Sequence, residues 1–284
     1  MEIIPKESVL DYAACHYGTS RLTFRGPKQT TDAPFVAFLG GSEVYGRFID
    51  RPISMLVEQE LGINCANFGC KNAGVDVFLQ DPALCELASQ AAVTVIQITG
   101  AQNMSNRFYR VHPRFNDRFV APAASLKALY PDLDFTNIHF CRHALREFYQ
   151  ASATRFELIV DELKAAWVAR MIQLLETVKG RKVLFWMGAH GIDTADENSL
   201  LDPLYVDRDM VEALRPYVDE IVEYVASRQA CQDGTRGMIF SSAEKRAAQH
   251  MFGPRAHREV AKALVKVLEP MVGKLNRCEK TIAA

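Results

Sequence analysis

Phe35-Val36-Ala37-Phe38-Leu39-Gly40-Gly41-Ser42 is the stretch on which the fold turns. A short, uninterrupted apolar run opened by Pro34 and stopped by two glycines suits a strand covered on both faces rather than wetted on one. The next segment has a different period. Ile53, Leu56, Val57 and Leu61 recur at spacings of three and four, with Gly62 as the stop, which predicts a helix. Strand then helix repeats outward from there. Asn64-Cys65-Ala66-Asn67-Phe68 ends in Gly69 and reads as a second strand, and 81–90 reads as a helix with Pro82 near its start. Val93-Thr94-Val95-Ile96-Gln97-Ile98-Thr99, rich in β-branched residues and closed by Gly100, predicts a third. Lys182-Val183-Leu184-Phe185-Trp186-Met187 before Gly188 predicts a fourth. Glu220–Val225 reads as a fifth strand or as the extension of a helix. Amphipathic helices are expected at about 155–178, 207–215 and 255–269. Strands alternating with helices imply βαβ units around a parallel sheet. The expectation is therefore α/β, a doubly wound three-layer sandwich whose sheet is mainly parallel and five-stranded.

The whole chain of 284 residues is expected to be one such domain. Residues 1–33, polar and irregular, form an N-terminal extension. About 101–150, broken by Pro113, Pro122 and Pro131, form a lid-like insertion after the third strand. Hydrophobic residues make up 49% and charged residues 24%, enough apolar matter for a large core. With 33 basic against 34 acidic residues the charges cancel, which argues against a nucleic-acid partner. No 18-residue apolar stretch predicts a membrane span, and the start Met-Glu-Ile-Ile-Pro-Lys-Glu-Ser lacks the pattern of a secretory signal. Seven scattered cysteines do not form a disulfide framework, so the expected setting is cytoplasmic.

Open α/β sheets place their ligands at the carboxyl ends of the strands, which directs attention to the loops there. Gly40-Gly41-Ser42-Glu43-Val44-Tyr45-Gly46 is not a P-loop, since Gly46 is followed by Arg47-Phe48. It lacks the third glycine of a dinucleotide fingerprint and the last glycine of a Gly-x-Ser-x-Gly elbow. What remains is a serine at a helix start, an N-cap or a nucleophile. Asn67-Phe68-Gly69 with Gly74 follows the second strand, and Gly100-Ala101-Gln102-Asn103 follows the third. Gly253-Pro254-Arg255-Ala256-His257 precedes a final helix.

Serine, glycine, asparagine and a late histidine in that order resemble the SGNH (GDSL-type) hydrolase superfamily, and more closely a divergent bacterial SGNH-like group whose ending also reads Gly-Pro-x-x-His. The likeness covers roughly residues 34–100 and 182–269. It implies a flavodoxin-like fold and an acyl-ester hydrolase with Ser42 as nucleophile and His257 as its base. The backbone of Ser42, that of Gly74 (or of Gly69) and the side chain of Asn103 would then form the oxyanion hole. The chemistry is coherent: a serine hydroxyl needs a base, and its developing oxyanion needs fixed donors. Three blocks depart from the pattern. Gly41 stands where the family has aspartate, Gln102 where it has asparagine, and Pro254 where it has the aspartate that orients the histidine. Asp202 or Asp207 is a candidate replacement for that acid, and His190 a reserve base.

Residues 107–119 hold four arginines and four aromatics among thirteen residues. Arginine forks suit carboxylate, phosphate or sulfate and aromatics stack on rings, so Arg107, Tyr109 and Arg110 are candidate substrate contacts; packing of the insertion is the alternative. His139, Cys141 and His143 would share one face of a strand, yet no metal-site spacing is present and no metal or other cofactor is expected. The substrate expected is a small-molecule or glycan ester, possession of an O-acyl group being the common feature. The alternatives are a non-catalytic protein that binds a glycan or anionic ligand, and a related acyltransferase.

Overall fold

The computed structural model describes residues 10–194 and 202–282, with side chains in the last helix as far as residue 273. The strands are β1 (Phe35–Gly40), β2 (Asn64–Gly69), β3 (Val93–Gln97), β4 (Tyr109–Val111), β5 (Phe119–Pro122), β6 (Lys182–Gly188) and β7 (Glu220–Val225). The α-helices are α1 (Ser42–Tyr45), α2 (Ile53–Leu61), α3 (Asp76–Leu79), α4 (Pro82–Ser89), α5 (Ala124–Leu129), α6 (Cys141–Ala151), α7 (Ala153–Thr177), α8 (Arg208–Glu212), α9 (Arg228–Asp233), α10 (Lys245–Ala248) and α11 (Pro254–Ile282).

Five strands form one wholly parallel sheet in the order β2-β1-β3-β6-β7. Glu220–Val225 is therefore a strand: its pairing with β6 resolves the ambiguity that its letters alone allow. All six residues of β1 are buried, and alternate side chains go to opposite layers. Phe35, Ala37 and Leu39 join one core, against α4, α7 and the insertion. Val36 and Phe38 join the other, where Val57 of α2 and Val260, Leu264 and Leu268 of α11 pack at helical spacing. Burying each such Val, Leu or Phe stabilises the fold by about 1.5–3 kcal/mol, so the continuous apolar strands account for the three-layer build.

The insertion is not a separate layer over the sheet. Tyr109, Phe119, Tyr130, Cys141 and Phe148 belong to the same core as β1. Residues 139–143 leave the strand geometry in which His139, Cys141 and His143 would align, because α6 begins at Cys141. Among the described residues, no helix is long and apolar enough to cross a membrane, and no group of three or more His, Cys, Asp and Glu gathers as a metal would require. Cys15, Cys65, Cys70, Cys85, Cys141 and Cys231 are free thiols.

The chain leaves β1 for β2 on one side and returns through β3 on the other, so the carboxyl end of β1 is the strand-order switch point. Arg25 braces the turn beyond it. Its buried guanidinium donates to the carbonyls of Gly46 and Ile49, both at 2.6 Å, and of Asp50 at 2.7 Å, just past the end of α1.

Candidate active site

Ser42 opens α1 directly after β1 and is 9% exposed. The turn is pinned from both neighbouring strands. Gly41 N–H donates to Gln97 Oε1 of β3 at 2.9 Å, and Asn67 Nδ2 of β2 donates to Val44 O at 2.8 Å. Gly69 ends β2 against this helix: a Cβ there would lie 2.3 Å from Tyr45 N, so only glycine allows the approach.

The hydroxyl of Ser42 is engaged twice by Asn72, in the loop after β2. It donates to Asn72 Oδ1 at 3.0 Å and accepts from Asn72 N–H at 2.9 Å. Asn72 sits at φ 55°, left-handed backbone that asparagine tolerates better than most residues. Its Nδ2 donates to Asp117 Oδ2 at 2.9 Å, and its carbonyl accepts from Asn103 Nδ2 at 3.3 Å. Burial pushes the Asp117 carboxyl above its ordinary value, against the opposing effect of the Asn72 bond. Lys71, the preceding residue, lies 4.4 Å from the Tyr12 ring centroid and 4.8 Å from that of Tyr45. Burial, then the nearby Arg47, holds its ammonium below the usual lysine range.

Gly74 is differently placed. Its N–H donates to Asn116 Oδ1 at 3.1 Å, which also accepts from Val77 N–H at 3.0 Å. A Cβ on Gly74 would stand 1.7 Å from Asn103 O. The insertion thus occupies the amide that the resemblance assigns to an oxyanion, and the amide facing Ser42 is that of Asn72. The signal in the sequence was a residue able to adopt left-handed backbone two positions before Gly74.

His257, in the first turn of α11, is fully buried. Its Nε2 lies 3.2 Å from Glu43 Oε2, and its Nδ1 has no hydrogen-bond partner. No hydrogen bond joins it to Ser42: the residue it meets is the serine's neighbour in sequence. Glu43 Oε1 also accepts from Phe252 N–H at 3.2 Å. Neither acid considered for the Pro254 position serves His257. Asp202 accepts from Gln102 Nε2 at 3.2 Å, while Asp207 caps α8 through Met210 N–H at 3.0 Å and pairs with Lys164 at 3.1 Å. His190 Nδ1 lies 3.0 Å from Gly191 O, and its ring packs edge-on to Trp186.

The arginine-rich stretch divides. Tyr109 is fully buried and spends its hydroxyl on Gln102 O at 2.8 Å. Arg107 is exposed and pairs with Glu162 at 3.4 Å; Arg110 projects from the exposed face of β4. Asn116 and Asp117 are the residues of this stretch that reach the loop beside Ser42.

Residues 1–272 match a family described as a domain of unknown function, DUF6473. The chain belongs to that family. No curated protein matches it. Among solved structures, a lipase from a goat rumen metagenome superposes with a TM-score of 0.39 at 10% identity, over 82% of this chain and 96% of the lipase. A gut microbial diltiazem-metabolizing enzyme gives 0.31 at 12% identity, over 84% of this chain and 47% of that enzyme. At these scores neither likeness bears on the chemistry of this DUF6473 chain.

Proposed function

We propose that this protein is a serine hydrolase of the SGNH type that cleaves an acyl ester, with an O-acylated sugar as a fitting substrate and the cytoplasm as its setting. The observation that carries the reading is the hydrogen-bonded run Ser42–Asn72–Asn103 at the switch point of the sheet, with a carboxylate-bound imidazole one residue along the chain from Ser42. It supports a two-step acyl transfer. Ser42 Oγ attacks the ester carbonyl carbon as its proton passes to His257. The tetrahedral oxyanion draws on the N–H of Ser42, on the second N–H of the Asn103 amide, whose first is held by Asn72 O, and on the Asn72 N–H, which is released when the Ser42 hydroxyl turns away from it. The proton then goes to the departing alkoxide, and water repeats the sequence on the acyl-enzyme. An acyltransferase differs only in the final acceptor.

Asn72 Oδ1 holds the hydroxyl proton in this structure, so attack requires the Ser42 hydroxyl to turn from Asn72 to the histidine. That contact favours a second reading, a non-catalytic protein that binds a glycan or an anionic ligand.

A fluorophosphonate probe separates the two. Covalent labelling that disappears in Ser42→Ala and weakens in His257→Ala is the result expected of the hydrolase. Absence of labelling on folded wild-type protein sinks that reading, and anion and glycan binding would then be measured directly.

A further inference from the structure

The orienting carboxylate missing from position 254 has a structural counterpart on the other side of the histidine, and this deepens the hydrolase reading on which it rests. We infer that Glu43 is the positioning residue that fixes His257 in the tautomer able to accept the Ser42 proton. Three observations carry the inference. Glu43 Oε2 lies 3.2 Å from His257 Nε2, so a proton on Nε2 completes a charge-assisted hydrogen bond. The carboxylate cannot swing freely, because its other oxygen accepts from Phe252 N–H in the segment that leads into α11. His257 Nδ1, buried and without a partner, is then left as a bare lone pair.

A buried acceptor left unpaired costs stability, since it loses its water and gains nothing in return. A core filled for stability alone would place an apolar side chain there. A base, by contrast, must keep one nitrogen unprotonated and available. The division of labour is that of a hydrolytic triad with the two ring nitrogens exchanged: there the carboxylate holds Nδ1 and Nε2 serves the nucleophile, whereas here Glu43 holds Nε2 and Nδ1 is the unpartnered nitrogen. It differs in that the acid is carried on the residue after the nucleophile, on α1, rather than beside the histidine. In the step itself the Oγ–H bond of Ser42 breaks, the Oγ–carbon bond to the acyl group forms, and the proton passes to His257 Nδ1. The resulting imidazolium keeps its Nε2–H on Glu43. The same proton leaves on the alcohol oxygen when the carbon–oxygen bond of the ester breaks.

The test uses the full chain, fluorophosphonate labelling, turnover of p-nitrophenyl acetate, and nitrogen-15 NMR of the His257 ring. Wild-type protein should show Nε2 protonated and Nδ1 bare. Glu43→Gln, which keeps the shape and an acceptor for Phe252, should label and turn over roughly 10²- to 10⁴-fold more slowly, with kcat lowered, KM little changed and the thermal unfolding midpoint retained. Glu43→Asp should recover part of the rate. A wild-type ring protonated at Nδ1 overturns the inference. So does a wild-type protein that labels at Ser42 while Glu43→Gln labels at the same rate, an outcome that leaves the hydrolase reading standing. An unlabelled wild-type protein removes the hydrolase reading, and the role of Glu43 with it.

Discussion

Two segments meet the beginning of α1, and they treat their polar groups in opposite ways. In the loop after β2 and the part of the insertion that meets it, the groups are spent: Asn72 uses its backbone N–H and both side-chain ends, and Asn116 of the insertion uses both of its own on residues 74, 77, 112 and 113. At the start of α11, His257 uses one ring nitrogen and leaves the other bare inside the protein. A saturated loop resists deformation, because each broken bond leaves a buried group unpaired. An unsaturated imidazole gives up stability and keeps a reactive lone pair. The difference separates a scaffold that aims groups from a group that is aimed.

The contrast breaks first at Asn72. Asn72→Ala removes the contacts to Ser42 and Asp117 and places a Cβ residue without local hydrogen bonding in left-handed backbone. We expect a loss of about 2–4 kcal/mol in urea unfolding. Asn72→Gly should recover about 1 kcal/mol of that, since glycine accepts a positive φ without strain; equal losses for the two variants would show that the backbone conformation carries no cost. The second effect is smaller. The double variant Glu43→Gln with His257→Leu removes the charge and the orphan nitrogen together and keeps an acceptor for Phe252 N–H, so stability should stay within about 1 kcal/mol of wild type while labelling is lost. A loss as large as that of Asn72→Ala would erase the distinction between the two segments.

The smallest effect is a pH dependence. Burial raises the Asp117 carboxyl above its ordinary value of 3.8, so the native state binds this proton more tightly than the unfolded chain. Its contribution to stability is full below that value and is lost as pH rises through the native value. Asp117→Asn lacks this loss. Its unfolding temperature relative to wild type should therefore increase as pH is raised from 3.8 upward; a constant difference would mean that Asp117 does not titrate differently in the two states.

The strands were legible because neighbours such as Phe35 and Val36, which go to opposite faces of the sheet, are both apolar, a pattern that needs no partner to be recognised. The last helix was legible for a similar reason: Val260, Leu264 and Leu268 mark one face. Ser42, Asn103 and His257 could be marked from their order, and the structure places the first two around Asn72 and the third on Glu43. Asn72 and Glu43 themselves were not marked. Their significance lies in partners distant in the chain, 30 residues away for Ser42–Asn72 and 214 for Glu43–His257. Periodicity reports which face of an element is covered but carries no information about which polar atoms meet across elements. The insertion admits two readings in the sequence for the opposite reason. Tyr109 suits a ligand's ring or a core equally well by its letters, and its burial and its hydroxyl's bond to Gln102 O put it in the core.

Arg25 has a consequence for how the chain can be cut and rejoined. The carbonyls it gathers after α1 receive their donors from a segment that precedes β1, across an exposed stretch at 32–34. A circular permutation that opens the backbone in that stretch keeps the brace on the molecule, tethered through the other terminus. A truncation through residue 25 discards it and leaves those carbonyls to water at the turn that follows α1. The segment before the first strand is thus a strut for the turn after α1, and a truncation whose new start lies on the β1 side of Arg25 removes it.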